Sequence, residues 1–298
     1  MSASVKNKSF TYAMVVASMV IWAVSYIWVK QALEYYGPFT LVCLRIFLAS
    51  IFLLGISLIF KKLKRIKKRH IPVLFALAVF DPFGYFLCEN YSLQFTSATV
   101  ASVIISTIPL ITPVAAFIFI RERLSLLNII GIVISFFGVM LVIVKPDFTL
   151  ATSPLGLILL FSAVLFAVAY TLVLLKLTKY YHVITIITYL TCISAVYFIP
   201  VFFTLGYNDF ISTPLTTDLV LLLVGLAVFA SSLAFILFTS ALKVIGASKS
   251  NVFSNIIPVF TAIFAWWLLS EVITLQMIIG IGIVVGGLLL SQLSIKNK

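Results

Sequence analysis

Charge is what this sequence has least of. Only 9% of its 298 residues are Asp, Glu, Lys or Arg, where a soluble domain carries roughly 25%. With 63% hydrophobic residues and a mean hydropathy of +1.26, a soluble fold would lack the polar residues to cover its surface. A bilayer removes that need. No polar stretch is long enough to form a separate soluble domain. Cysteine is also scarce. Cys43, Cys88 and Cys192 all fall inside apolar runs, so neither a disulfide framework nor a metal-ligand set is expected. The two histidines, His70 and His182, belong to loops or rims. There is no GxxxxGK[ST] phosphate loop, no HExxH and no clustered His/Cys set. No cofactor, no metal, no ATP drive within the chain and no enzyme activity are therefore expected.

What is present is a series of apolar runs, each near the ~20 residues that a membrane-crossing helix needs. Ten are expected, at about 12–30, 39–60, 71–92, 97–120, 126–145, 155–176, 183–205, 217–240, 248–269 and 274–294. Short connections such as Gly37-Pro38, Pro146-Asp147 and Gly206-Tyr207-Asn208-Asp209 separate them. The first run has no small-residue cleavage site after it and is expected to be a retained span.

The second half repeats the first. Shifted by 149 residues, Leu93 falls on Leu242, Ala98 on Ala247, Pro109 on Pro258, Thr112 on Thr261, Glu122 on Glu271, Gly131 on Gly280 and Gly138 on Gly287. No gap is needed over 93–141. Nearer the start of each half, Ala23-Val24-Ser25-Tyr26 aligns with Ala167-Val168-Ala169-Tyr170 at a shift of 144. This divides the chain into two five-helix domains, 1–149 and 150–298.

Two successive copies with an odd number of spans must insert in opposite orientations, so matching loops should differ in positive charge. Lys61–Arg69 (KKLKRIKKR) holds seven basic residues, and its counterpart, about 206–216, holds none. With the N-terminus inside, seventeen Lys and Arg lie on the inner side, two (Lys30 and Lys145) lie on the outer side, and Arg45 lies within a span. The positive-inside bias places both termini in the cytoplasm, with the chain multi-pass in the cytoplasmic (inner) membrane. The same placement accounts for the net charge of +12, so nucleic acid is not an expected partner.

Residues 91–143 read YSLQFTSATVASVIISTIPLITPVAAFIFIRERLSLLNIIGIVISFFGVMLVI, and the partner segment reads SALKVIGASKSNVFSNIIPVFTAIFAWWLLSEVITLQMIIGIGIVVGGLLL. The order is a small-residue turn, a span with a central Pro, a Glu at its end and a Gly-bearing span. With the early IWAVSYIWVK and LRIFLAS, this resembles the EamA-type transporters of the drug/metabolite transporter superfamily over nearly the whole chain. The resemblance implies an all-α integral membrane protein: ten transmembrane helices as two inverted five-helix repeats around a central cavity. It also implies transport of small polar metabolites, often outward. One departure stands out. Leu87-Cys88-Glu89-Asn90-Tyr91 puts an acid where such proteins often have an apolar Ala-Leu stretch.

Ionisable groups within spans cost about 2.5–3.5 kcal/mol each on insertion scales, so they face a cavity or each other. Arg45, Asp81 and Glu89 are the conspicuous ones. Asp81, Tyr85 and Glu89 are spaced i, i+4, i+8, one stripe of a helix, and Pro82 removes a backbone donor beside them. At 1.5 Å per residue, Arg45 lies about 9 Å and Glu89 about 5 Å from the outer face, with Asp81 nearer the midplane. Two readings stand for the pair. Either Arg45 binds a carboxylate or phosphate while Glu89 or Asp81 binds an amine or a coupling proton, or Arg45 and Glu89 pair only with each other.

Trp22, Tyr26 and Tyr170 occupy equivalent faces of spans one and six, suited to enclosing a ligand or to packing. Asn251 and Asn255 on span nine are polar candidates for substrate contact or for helix–helix hydrogen bonds. Pro109 and Pro258, at matching mid-span places, are candidate hinges. Trp266 and Trp267 suit an interface belt. Gly282 and Gly286 form GxxxG, a motif for close helix contact or a homodimer. The leading expectation is a secondary transporter of a small polar metabolite or amino-acid-like compound, working outward by alternating access. A membrane-embedded enzyme and a channel are the competing classes for the same polar cavity.

Overall fold

The computed structural model describes residues 3–121, 124–246, 250 and 253–293. Nine helices among them are long and apolar enough to cross a membrane, and one is shorter. In chain order they are α1 (Ser9–Ala32), α2 (Pro38–Ile59), α3 (Lys68–Ser92), α4 (Ala98–Phe119), α5 (Leu126–Ile143), α6 (Pro154–Leu174), α7 (Val183–Ser212), α8 (Thr217–Ile245), α9 (Phe253–Leu269) and α10 (Leu275–Gln292). The shorter one is α9, whose expected start at 248 lies outside the described residues. Helices α1–α5 cover the first of the two sequence repeats and α6–α10 the second.

Local chemistry sets where the helices begin. Ser125 Oγ accepts from the Asn128 amide at 3.1 Å, and Asn128 Oδ1 accepts from the Ser125 amide at 3.0 Å. This capping box opens α5. Ser153 Oγ accepts from Gly156 N at 3.1 Å with Pro154 in the first turn of α6, where the missing N–H has no intrahelical partner to lose. Helix α4 draws its cap from the other repeat as well. Besides Ser97 Oγ on Val100 N, the Glu271 carboxylate accepts from Ala98 N at 2.7 Å, Thr99 N at 3.3 Å and Thr99 Oγ1 at 2.8 Å.

Several helices are interrupted, at matching places in the two halves. Helix α3 widens over Val79–Gly84, with Asp81 in an extended conformation (φ −150°, ψ 123°) before Pro82. Helix α8 widens over Gly225–Leu233. Helix α4 is two pieces, Ala98–Ile105 and Ile108–Ile120, joined by a turn. At Pro109 and Pro258, the candidate hinges, the helices are broken just ahead of each proline. Each proline sits in the first turn of a new helical piece, Ile108–Ile120 or Ile256–Leu269, the position that tolerates it. A difference concerns the expected turn at 206–209. The chain stays helical to Ser212, and Asp209 Oδ2 accepts the Gly37 amide at 2.8 Å, bracing the start of α2.

The two C-terminal helices of the repeats, α5 and α10, make the closest contact. A Cβ at Gly131 would meet Gly287 O at 2.5 Å, one at Gly138 would meet Val284 N at 2.7 Å, and one at Gly287 would run into Ser135 Oγ. The close glycine contact thus belongs to the residues that match across the repeats. Gly282 and Gly286, expected to serve close helix contact or a homodimer, make no close contact within the chain: an added Cβ on either would have nothing within 4 Å, and both are exposed. Trp266 and Trp267 are 65% and 70% exposed, as an interface belt requires.

Replacing Gly287 by Leu forces α5 and α10 apart and should destabilise by about 1–3 kcal/mol or more. Gly282→Leu meets open space and should change stability by less than about 1 kcal/mol. Thermal unfolding of the two purified variants in detergent checks the difference.

Candidate functional site

The interruptions surround a cavity of about 160 Å³ between the repeats. Helix α1 supplies Trp22 and Tyr26, α2 supplies Arg45, α3 supplies Asp81, Tyr85 and Glu89, and α4 supplies Ser106, Pro109 and Thr112. From the second repeat come Tyr170 and Thr171 on α6, and Phe235, Phe238 and Thr239 on α8. A side chamber of about 10 Å³, shared by Asp81, Tyr170, Thr191 and Ser231, has room for about one water. Among the described residues no group of three or more His, Cys, Asp and Glu side chains comes together in a form that would hold a metal.

Arg45 anchors the cavity. Its side chain is 1% exposed, yet it makes no ion pair among the described residues. Nε donates to Ser231 Oγ at 2.6 Å, and the guanidinium lies 4.0 Å from the centroid of the Phe86 ring. Arg45 therefore ties α2 and α3 of the first repeat to α8 of the second. Glu89 is satisfied separately: Tyr85 OH donates to its Oε1 at 2.6 Å, and the Tyr26 hydroxyl is a further hydrogen-bond partner. The direct Arg45–Glu89 pair, one of the two readings of the sequence, is absent. Asp81 lies within electrostatic reach of both. Arg45 Nη1 and Asp81 Oδ1 are buried without a hydrogen-bond partner in the protein.

The aromatic wall is ordered. Trp22 Nε1 donates to Ala230 O at 3.2 Å, and its ring lies 5.2 Å from each of Phe235 and Phe238. Tyr170 is 8% exposed and lines both the cavity and the side chamber.

Of the residues singled out from the sequence, Trp22, Tyr26, Arg45, Asp81, Tyr85, Glu89 and Tyr170 meet around this one cavity. Asn255 does not line it. It is 5% exposed with both amide atoms unpaired inside the protein, and the first turns of α9 present Ser254 and Ile257 to the cavity in its place. Asn251 lies outside the described residues. Ser231, Phe86, Phe235 and Phe238 were not read from the sequence. The Ser231-Ser232 pair inside an apolar run was the available signal for the first.

The whole arrangement has known relatives. A family model described as the EamA-like transporter family matches residues 9–144 and again 154–293. The chain belongs to the EamA-like transporter family and is a multi-pass membrane transporter. It is 26% identical over 299 residues to the uncharacterized transporter YetK of Bacillus subtilis (strain 168), covering 98% of this chain and 90% of that one. It is 28% identical over 273 residues to an uncharacterized transporter of Archaeoglobus fulgidus, covering 91% and 94% respectively. One solved crystal structure superposes with a TM-score of 0.70 at 14% identity, over 95% of this chain and 98% of the other. That likeness shows the fold shared by this EamA-family chain.

If Ser231 is what satisfies the buried Arg45, Ser231→Ala leaves Nε unpaired and should cost about 1.5–3 kcal/mol. Thr239→Ala, which also lines the cavity but does not touch Arg45, should cost less. Detergent-solubilised thermal stability of both variants checks this.

Proposed function

We propose that this EamA-family protein is a secondary transporter that exports a small polar metabolite of amino-acid-like chemistry by alternating access. The observation that carries the reading is the pair of buried, oppositely charged groups on one cavity wall. Arg45 Nη1 and Asp81 Oδ1 each lack a partner in the protein, and both residues border an aromatic space between the repeats. A zwitterion supplies the missing partners: its carboxylate to Arg45, its ammonium to Asp81 or to Glu89. Charge-assisted bonds of this kind are about twice as strong as neutral ones. Trp22, Tyr26, Tyr170, Phe235 and Phe238 then cover the side chain. Asp81 and Glu89 also suit a coupling proton, since either can gain one without leaving the cavity.

The ends of the bundle support alternation. At the end opposite the termini the repeats are clasped. Glu271 of the second repeat caps α4 of the first, and Asp209 of the second accepts the Gly37 amide of the first at 2.8 Å. Cavity-lining residues extend the other way, to Leu174 and Leu242 near the termini-side ends of α6 and α8. The positive-inside bias places that side in the cytoplasm of a cell bounded by its inner membrane. This conformation then loads from the cytoplasm, and breaking the Glu271–α4 clasp opens the far side. The breaks in α4 and α9 ahead of Pro109 and Pro258 are the places where half-helices can swing.

Purified protein in proteoliposomes should show saturable flux of amino-acid-like substrates. Asp81→Asn and Glu89→Gln should each lower it by about tenfold or more, the loss of one charge-assisted contact. Unchanged flux in both removes the acids from the mechanism, and flux that does not saturate indicates a channel.

A further inference from the structure

The loop between α2 and α3 is more basic than topology requires. It has seven Lys and Arg in the nine positions Lys61–Arg69. The other loops at the same end carry two each: Arg121 and Arg123, Lys176 and Lys179, Lys243 and Lys249. All seven charges are exposed, and among the described residues none makes an ion pair.

The loop is also a built structure. Ile66, in the middle of the charges, is buried at 8% exposure in a cluster with Leu177, Tyr181 and Ile186. The turn between α6 and α7, with the first turn of α7, holds the surrounding backbone. Thr185 Oγ1 donates to Lys62 O at 2.6 Å, Lys64 N donates to Thr185 Oγ1 at 3.4 Å, and Lys67 N donates to Tyr181 OH at 3.0 Å. These contacts hold the backbone that carries Lys64, Arg65, Lys67 and Lys68. Just before these charges in the chain, the end of α2 exposes apolar side chains: Ile59 is 76% exposed and Phe60 is 64% exposed. The positive field reaches the next turn. His182, at the start of α7, has its imidazole held below its ordinary pKa by loss of solvent and then by Lys62, Lys243 and Lys64.

A run of exposed positive charges on a held backbone, next to exposed apolar residues, is the complement of a lipid with a negative head group. We propose that this loop is a binding site for anionic phospholipid in the leaflet on the side of the termini. The head-group phosphate lies among Lys64, Arg65, Lys67 and Lys68, and the acyl chains lie along Ile59 and Phe60. The loop joins the helix that carries Arg45 to the helix that carries Asp81 and Glu89, so the bound lipid sets how those two helices stand relative to each other. That last consequence, and only that one, rests on the transport reading.

The test is retention of lipid by the full-length protein, which requires no transport. Protein released from membranes of mixed phosphatidylglycerol and phosphatidylcholine is analysed by native mass spectrometry. The wild type should retain phosphatidylglycerol preferentially. A Lys64→Gln/Lys67→Gln variant should lose that preference by roughly ten- to thirty-fold. A Tyr181→Phe/Thr185→Val variant keeps all seven charges but frees the loop backbone, and it should lose most of the preference too. Thermal unfolding checks that both variants are folded. Equal retention of the two lipids by the wild type overturns the proposal. So does full preference in the Tyr181→Phe/Thr185→Val variant, which would reduce the effect to diffuse charge. Displacement of the lipid by millimolar inorganic phosphate, or by a short single-stranded RNA, reassigns the loop to those ligands and likewise overturns it. Should proteoliposome flux be absent while the lipid preference persists, only the transport reading has failed.

Discussion

Arg45 is 1% exposed at a depth where a lone charge costs several kcal/mol, and it has no carboxylate in direct contact. Its support is one hydroxyl from the other repeat and one aromatic face. Ser231 reaches it because α8 widens over Gly225–Leu233. Phe86 reaches it because α3 resumes as a regular helix beyond its own widened turn. Three helices from two repeats thus have to meet at one guanidinium. The cavity exists around that junction, and its two acids are left to be satisfied by other means.

Irregular backbone is tolerated at membrane depth only where protein buries it or where it lines a cavity. The breaks in α3, α4, α8 and α9 obey that rule, since residues in or beside each of them border the cavity. The opposite regime holds at α5 and α10. There, glycines bring two unbroken helices into backbone contact, and a single added Cβ has nowhere to go. One side of the bundle is closely packed and continuous, and the other carries the discontinuities.

The ends differ in the same spirit. Opposite the termini, carboxylates and a lysine are used up on backbone groups: Glu271 on α4, Asp209 on Gly37, Lys30 on the carbonyls of Leu93 and Thr96. At the termini side, the charges of Lys61–Arg69 remain exposed while their backbone is held from below by Thr185 and Tyr181. Charge is bound to backbone at one end and left exposed at the other.

The sequence by itself determined the helix count, the duplication and the residues able to carry charge into the bilayer. Span length, apolar composition and a gapless match over 93–141 are one-dimensional quantities that chemistry reads directly. The i, i+4, i+8 spacing of Asp81, Tyr85 and Glu89 survived the break at Pro82, because the residues after Asp81 return to helix within one turn. Only the tertiary structure decided the partners. Arg45 and Glu89 are at compatible depths, yet depth does not fix azimuth. The guanidinium turns to Ser231, 186 positions away in the chain, while Glu89 takes Tyr85 and Tyr26. Asn255 and the Gly282–Gly286 pair carry the same ambiguity, since a polar or small residue on a helix has no assigned side until its neighbours are placed. Which face of each helix looks inward depends on contacts between distant segments, and composition and spacing do not contain them.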